Sequence, residues 1–306
     1  GGILSFLPNI FILFLALAFL EDSGYMSRVA YVMNGIMGRL GLSGRAFIPM
    51  VLGFGCTVPA LMASRVLEDP KDRYRIMLIT PFMSCSARLP IYLLFSELFF
   101  PDHAMLVSYC MYLIGIAVLL HKMDRKKNED LLLIELPEYK LPSARTVCIY
   151  VWEKVKDYLT KAGTTIFVAS IIIWFILNFG PQGYTSDMAA SFGAKLGSLL
   201  VPLLVPVGLG FWQIVVALIA GISAKEVVVS SFIVLFGIQG TKTAGEMAAL
   251  NGQLSFIGFG PLNAFCMMLF CLLYIPCAAT LATVKKETGS ARSMGKTAAF
   301  QLLVAW

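Results

Sequence analysis

Residues 52–65 read LGFGCTVPALMASR, inside an apolar run that begins near Phe47. Gly53 and Gly55 loosen a helix and Pro59 removes a backbone donor, so three helix-weakening residues surround Cys56. In hydrocarbon an unpaired backbone group is costly, and broken backbone survives only where protein or a wet cavity surrounds it. The stretch therefore points to something held at the break rather than to a plain anchor.

The rest of the chain shares its apolar character. Of 306 residues, 58% are hydrophobic and 14% charged, with a mean hydropathy of +0.80. A soluble domain carries about 25% charge, and several runs here reach the ~20 apolar residues that cross a bilayer. The runs are continuous rather than alternating, which argues against a membrane β-barrel. An all-α polytopic membrane protein is expected. The chain opens and stops inside apolar runs and has no signal-peptide pattern, as expected of a piece of a longer protein whose last segment is cut short. Its seven cysteines form no CxxC pair and sit mostly in apolar runs, which argues against a disulfide framework.

Spans are expected at 3–19, 76–98, 104–120, 163–179 and 262–284, with broken pieces at 46–64 and 200–238 and a last segment from Thr297. Twenty of the 24 Lys and Arg residues fall in connectors on one side, among them HKMDRKK (121–127) and KKETGSARSMGK (285–296). Lys195 and Lys242 fall on the other side, and Arg88 and Lys225 lie inside apolar pieces. The positive-inside rule makes the basic side cytoplasmic. The 46–64 piece must then enter and leave from the cytoplasm, with its Gly53–Cys56 tip near mid-membrane. The 200–238 piece starts and ends outside, breaking at AGISAKE (220–226).

Two inverted repeats with broken or re-entrant helices at the midplane follow, an architecture of secondary transporters. Residues 1–120 form the first repeat, 121–162 a cytoplasmic linker and 163–306 the second repeat. The competing reading is an ordinary bundle of kinked helices. Within the linker, Val151, Val155, Tyr158 and Leu159 share one helical face, as in an amphipathic helix lying along the membrane interface.

Sulfur recurs at the breaks. Cys56 follows the Gly-Phe-Gly, Cys85 lies between Pro81 and Pro90, and Cys277 directly follows Pro276. Proline frees backbone carbonyls and the thiol adds a soft ligand, a combination suited to borderline divalent metals. Free cysteine is also a small buried hydrophobe; that plain role is assigned to Cys110, Cys148 and Cys266, while Cys271 fits either. Arg88, three residues after Cys85, favours a thiolate but repels an arriving cation. Intramembrane charge is costly and usually functional, so Glu226 is expected to face the path and Lys225 to act as its structural or gating partner. Gly53, Gly55, Pro59, Ser84, Arg88, Ser223, Lys225 and Cys271 complete the expected pathway or gating set.

Other chemistries find no support. GSARSMGKT (289–297) has five residues, not four, between its glycines and no preceding strand, so it is not a P-loop. No HExxH occurs, and both histidines, His103 and His121, flank spans. The basic residues follow membrane orientation rather than a nucleic-acid footprint.

Six stretches in order, EDSGYMSR (21–28), FIPMVLGFGCTVPALMASR (47–65), PFMSCSARLP (81–90), ELPEYKLPSAR (135–145), GISAKEVVVS (221–230) and YIPCAATLATVKKETGS (274–290), resemble the membrane domain of FeoB-type ferrous iron transporters. The two broken pieces resemble that family's paired gate regions. The resemblance implies Fe(II) uptake across a bacterial inner membrane, with Cys56, Cys85 and Cys277 on the metal pathway. It also implies an N-terminal GTP-binding domain outside this sequence, and small accessory proteins as partners. A transporter of a small organic solute such as a nucleoside is the alternative, and a receptor-like scaffold is a third reading.

Overall fold

The computed structural model describes residues 2–39, 42–122, 139–140, 142–158, 160, 164–181, 183–184, 191–236 and 256–306, with positions 250, 252 and 254. The basic stretch 123–127, Leu159 and the connector around Lys242 lie outside the described residues. Among the described residues the regular structure is helical apart from one short hairpin, Phe179–Gly180 against Gly183–Tyr184. It divides into two compact units.

Unit 1 takes residues 1–83, 117–165 and 282–294. It contains α1 (Gly2–Asp22), α2 (Tyr25–Arg39), α3 (Phe47–Gly55), α4 (Thr57–Ala63) and α5 (Pro70–Ile79). Between α2 and α3, Gly44 sits so close to α2 that a Cβ would lie 2.1 Å from the Ala30 carbonyl oxygen, and its N–H donates to Asn34 Oδ1 at 3.0 Å. The linker helix α8 (Ala144–Tyr158) buries Val147, Val151 and Val155 against Phe14 and Ala18 of α1. Val151 and Val155 of the stripe expected from the sequence thus pack on protein, while Trp152 and Ile149 on other faces stay exposed.

Unit 2 takes residues 84–116, 166–281 and 295–306. Its helices are α6 (Leu89–Phe99), most of α7 (Ala104–Lys122) and α9 (Thr164–Asn178), α10 (Phe192–Leu204), α11 (Trp212–Ala220), α12 (Glu226–Leu235) and α13 (Pro261–Leu273). The start of α14 (Ala278–Thr288) and most of α15 (Ala291–Ala305) complete it. Edge-on aromatic packing joins Phe95 of α6 to Phe232 of α12, ring centroids 5.1 Å apart, and Phe259 stacks obliquely at 6.1 Å. By contrast Phe167, Ile171, Trp174 and Phe175 of α9 stand exposed, as on a lipid-facing helix.

Three segments among the described residues are long and apolar enough to cross a membrane: Pro70–Phe99, Pro101–Val118 and Pro261–Thr288. A fourth, Phe192–Val207 with Trp212–Ala220, is bent by 102°. The sequence placed a single broken piece at 200–238; the structure begins it at Phe192, where the Ser191 hydroxyl caps Ala194 N–H, and adds this sharp turn. Pro206 and Gly208 make the turn, Gly208 with φ +76°, and the Asn263 side-chain amide holds the Gly208 carbonyl at 2.6 Å.

The expected spans 76–98 and 262–284 also differ in detail, because neither is α-helical throughout. Pro81 and Pro276 lack the N–H that the helical ladder needs. Residues 80–88 become two short 3-10 turns around an extended Met83–Cys85, and Tyr274–Cys277 are non-helical.

Candidate metal pathway

Besides the 102° turn before α11, the described residues are interrupted at Cys56 and at 80–88 in the first half, and at 221–225 and 274–277 in the second. At the first, Cys56 alone is extended (φ −150°, ψ 132°) and splits α3 from α4. Gly53 lets α3 approach the next break closely: a Cβ there would lie 3.2 Å from Thr80 Cγ2 and 3.3 Å from Met83 Sδ. Gly55 ends α3 and Pro59 sits buried in α4. Pro59 also lines a cavity of about 670 Å³ in unit 1, with Leu52, Met62, Glu21, Arg45, Arg65 and Lys154.

Unit 2 holds the other expected residues. Cys85 is extended and half-buried, with Arg88 N–H donating to its carbonyl at 3.0 Å. Ser84 and Tyr92 share a buried hydroxyl–hydroxyl bond of 2.7 Å, and Arg88 is only 2% exposed. In the break between α11 and α12, Ser223 turns its hydroxyl back to the Ala220 carbonyl at 2.7 Å. Glu226 opens α12, half-buried, where a carboxylate complements the helix N-terminus.

The last two breaks are fastened to each other. Ala278, the first residue of α14, donates its N–H to the Ile222 carbonyl at 2.7 Å. Lys225 Nζ returns a bond of 2.7 Å to the Ile275 carbonyl and lies 3.2 Å from the centre of the Tyr274 ring. Each unwound segment thus satisfies a polar group of the other, which is how irregular backbone persists away from water. Gly221 is required here, since a Cβ would sit 2.1 Å from Val228 Cγ2 and 2.7 Å from the Tyr274 hydroxyl. Cys271 is fully buried, whereas Cys277 is partly exposed with its sulfur 3.1 Å from Thr280 Oγ1.

Among the described residues no carboxylate, that of the neighbouring Glu226 included, lies within ion-pair distance of the Lys225 ammonium. The charge of the buried Arg88 guanidinium acts on the same ammonium. Among the described residues no three His, Cys, Asp or Glu side chains are grouped as a ready-made metal site. The bond from Lys225 to a main-chain carbonyl was not legible, because the acceptor carries no residue identity; Pro276 was its only signal.

Long apolar helices interrupted by unwound backbone, with a cysteine at several of the interruptions, define a helical membrane protein. The family model "Gate: Nucleoside recognition" matches residues 3–99 and 159–291, and the model "Ferrous iron transport protein B C terminus" matches 104–154. The chain belongs to the gate family, as a membrane domain of the FeoB type. It is 42% identical to "Fe(2+) transporter FeoB" of Staphylococcus aureus, covering all of this chain and 46% of that protein. It is also 42% identical to the protein of that name in Methanocaldococcus jannaschii, over 94% of this chain and 44% of the other. A Porphyromonas gingivalis "Fe(2+) transport protein A/Fe(2+) transporter FeoB fusion protein" is 38% identical, over 94% of this chain and 40% of that protein. The chain thus spans about half the length of these relatives. No solved structure matches it.

Proposed function

We propose that this chain is the permease part of a ferrous iron transporter of the bacterial inner membrane. Two features support the reading: the iron transport named in its relatives, and broken helices whose unwound segments carry Cys56, Cys85 and Cys277, with Glu226 next to one of them. Carbonyls and Glu226 supply hard donors, and Cys56, Cys85 and Cys277 supply soft ones. Fe(II) is a borderline cation that accepts both. Gly53, Gly55, Pro59, Ser84, Arg88, Ser223, Lys225 and Cys271 shape or gate the path, and the two halves are inverted repeats around it. GTP acts through an N-terminal domain of the longer protein, and a small protein of the kind fused to the P. gingivalis relative is an accessory partner.

The observation that carries the reading is the fastening of 221–225 to 274–277, two unwound segments bonded to each other through Lys225 and Ala278 beside an apolar core that Ile222 and Ile275 pack against. Anaerobic Fe(II) flux into liposomes holding the full-length protein tests it. Cys56→Ser is expected to lower flux partly, because a hydroxyl is a weaker ligand for this ion than a thiolate. Absence of flux from the unsubstituted protein, with stabilisation by a nucleoside instead of by metal, would replace iron with an organic solute.

A further inference from the structure

Lys225 is 3% exposed, and its ammonium has an unusual set of neighbours. It donates to the Ile275 carbonyl at 2.7 Å and lies 3.2 Å from the centre of the Tyr274 ring. A buried ammonium normally meets a carboxylate, yet among the described residues none reaches this one. Carbonyl oxygen and an aromatic face are instead electron-rich neutral groups, of the kind that hold a cation without neutralising it.

Taking iron transport as the function, we propose that Lys225 is a tethered stand-in for the cargo. Its ammonium fills a cation subsite at the Ile275 carbonyl, and a divalent ion binds there by displacing it. The two cannot share the place, because Arg88 already adds a second positive charge within range and a metal ion would add two more. With no ion aboard, the ammonium keeps the 221–225 and 274–277 breaks fastened and their carbonyls satisfied. With an ion aboard, the metal takes the carbonyl and the lysine swings out. A lysine that merely fastens the two breaks would stay bonded to Ile275 whether or not metal is present.

The first measurement needs no substitution. The full-length protein in detergent is treated anaerobically with an amine-acylating reagent, with and without Fe(II) or Mn(II), and labelling is read by mass spectrometry. Labelling at Lys225 is expected to rise several-fold with metal, while the exposed Lys195 stays constant. The second compares metal affinity: Lys225→Met should bind Mn(II) about tenfold or more tightly than the unsubstituted protein, and Lys225→Arg should not. Metal that raises the melting temperature and is transported, yet leaves Lys225 labelling flat, overturns the stand-in while iron transport stands. Unchanged or weaker binding by a folded Lys225→Met does the same. No metal-dependent stabilisation and no flux would remove the transport reading itself, and the stand-in with it.

Discussion

Arg65 and Glu287 lie 222 residues apart in sequence and meet in a two-pronged ion pair, Nε to Oε2 at 2.8 Å and Nη2 to Oε1 at 2.5 Å. Arg73 adds a third bond to the same carboxylate at 2.6 Å, and the Glu287 side chain is 2% exposed. The pair ties the short turn after α4 to the C-terminal end of α14. Glu287→Gln would leave two arginines facing a neutral amide. Both are partly exposed, so the expected cost is about 1–3 kcal/mol rather than that of a fully buried pair. Thermal melting in detergent reads it, and an unchanged midpoint would show that solvent already screens the pair.

Gly221→Ala puts a methyl group where Val228 and the Tyr274 hydroxyl already sit. Overpacking of this kind costs about 1–3 kcal/mol. Backbone conformation is no obstacle, because Gly221 is right-handed (φ −66°). The loss should therefore be recovered in part by Val228→Ala in the same chain, as followed by denaturant midpoint. Absence of recovery would place the strain elsewhere.

Glu226→Gln is expected to lower metal flux by about tenfold or more, the size of effect seen when a metal's surroundings lose a charge, with folding retained. Lys225 should tolerate the change, since its ammonium is bonded to Ile275 and not to Glu226. A sharp fall in expression, rescued by a second change at Lys225, would mean that the two charges balance each other after all.

Orientation follows from the basic residues. Reporter tags after residue 125 and near 290 should be active in the cytoplasm, and one near 185 on the opposite face. A cytoplasmic signal at 185 would sink the inverted-repeat proposal and leave a bundle of kinked helices.

Much of the fold was legible because breaks in apolar runs advertise themselves. Gly53, Gly55 and Pro59 around Cys56, and the charged pair in AGISAKE, mark interruptions that the structure places at Cys56 and at 221–225. Less was legible at 80–88 and 274–277. Pro81 and Pro276 flagged freed carbonyls there, but an apolar run reads as continuous whether its backbone is helical or extended. The 102° turn before α11 was folded into one long broken piece, although Pro206 and Gly208 carried its signal. The Glu287 clasp was invisible, because an acid inside a basic connector acquires its partners only through tertiary contact. The same holds for α8, whose stripe of valines looks alike whether it meets lipid or α1.

The mutual bonds between 221–225 and 274–277 also bear on how the chain is made. Ile275 follows Lys225 by 50 residues, so α11 and the start of α12 are made before their acceptor exists. Until it does, the ammonium and the Ile222 carbonyl cannot settle in lipid unpartnered. The α11–α12 hairpin must therefore wait in a hydrated place, at the insertion machinery or the membrane surface, for α13 and α14 to arrive. Membrane insertion of this half is a joint event, and a chain ending before Tyr274 should leave residues 212–235 open to proteolysis.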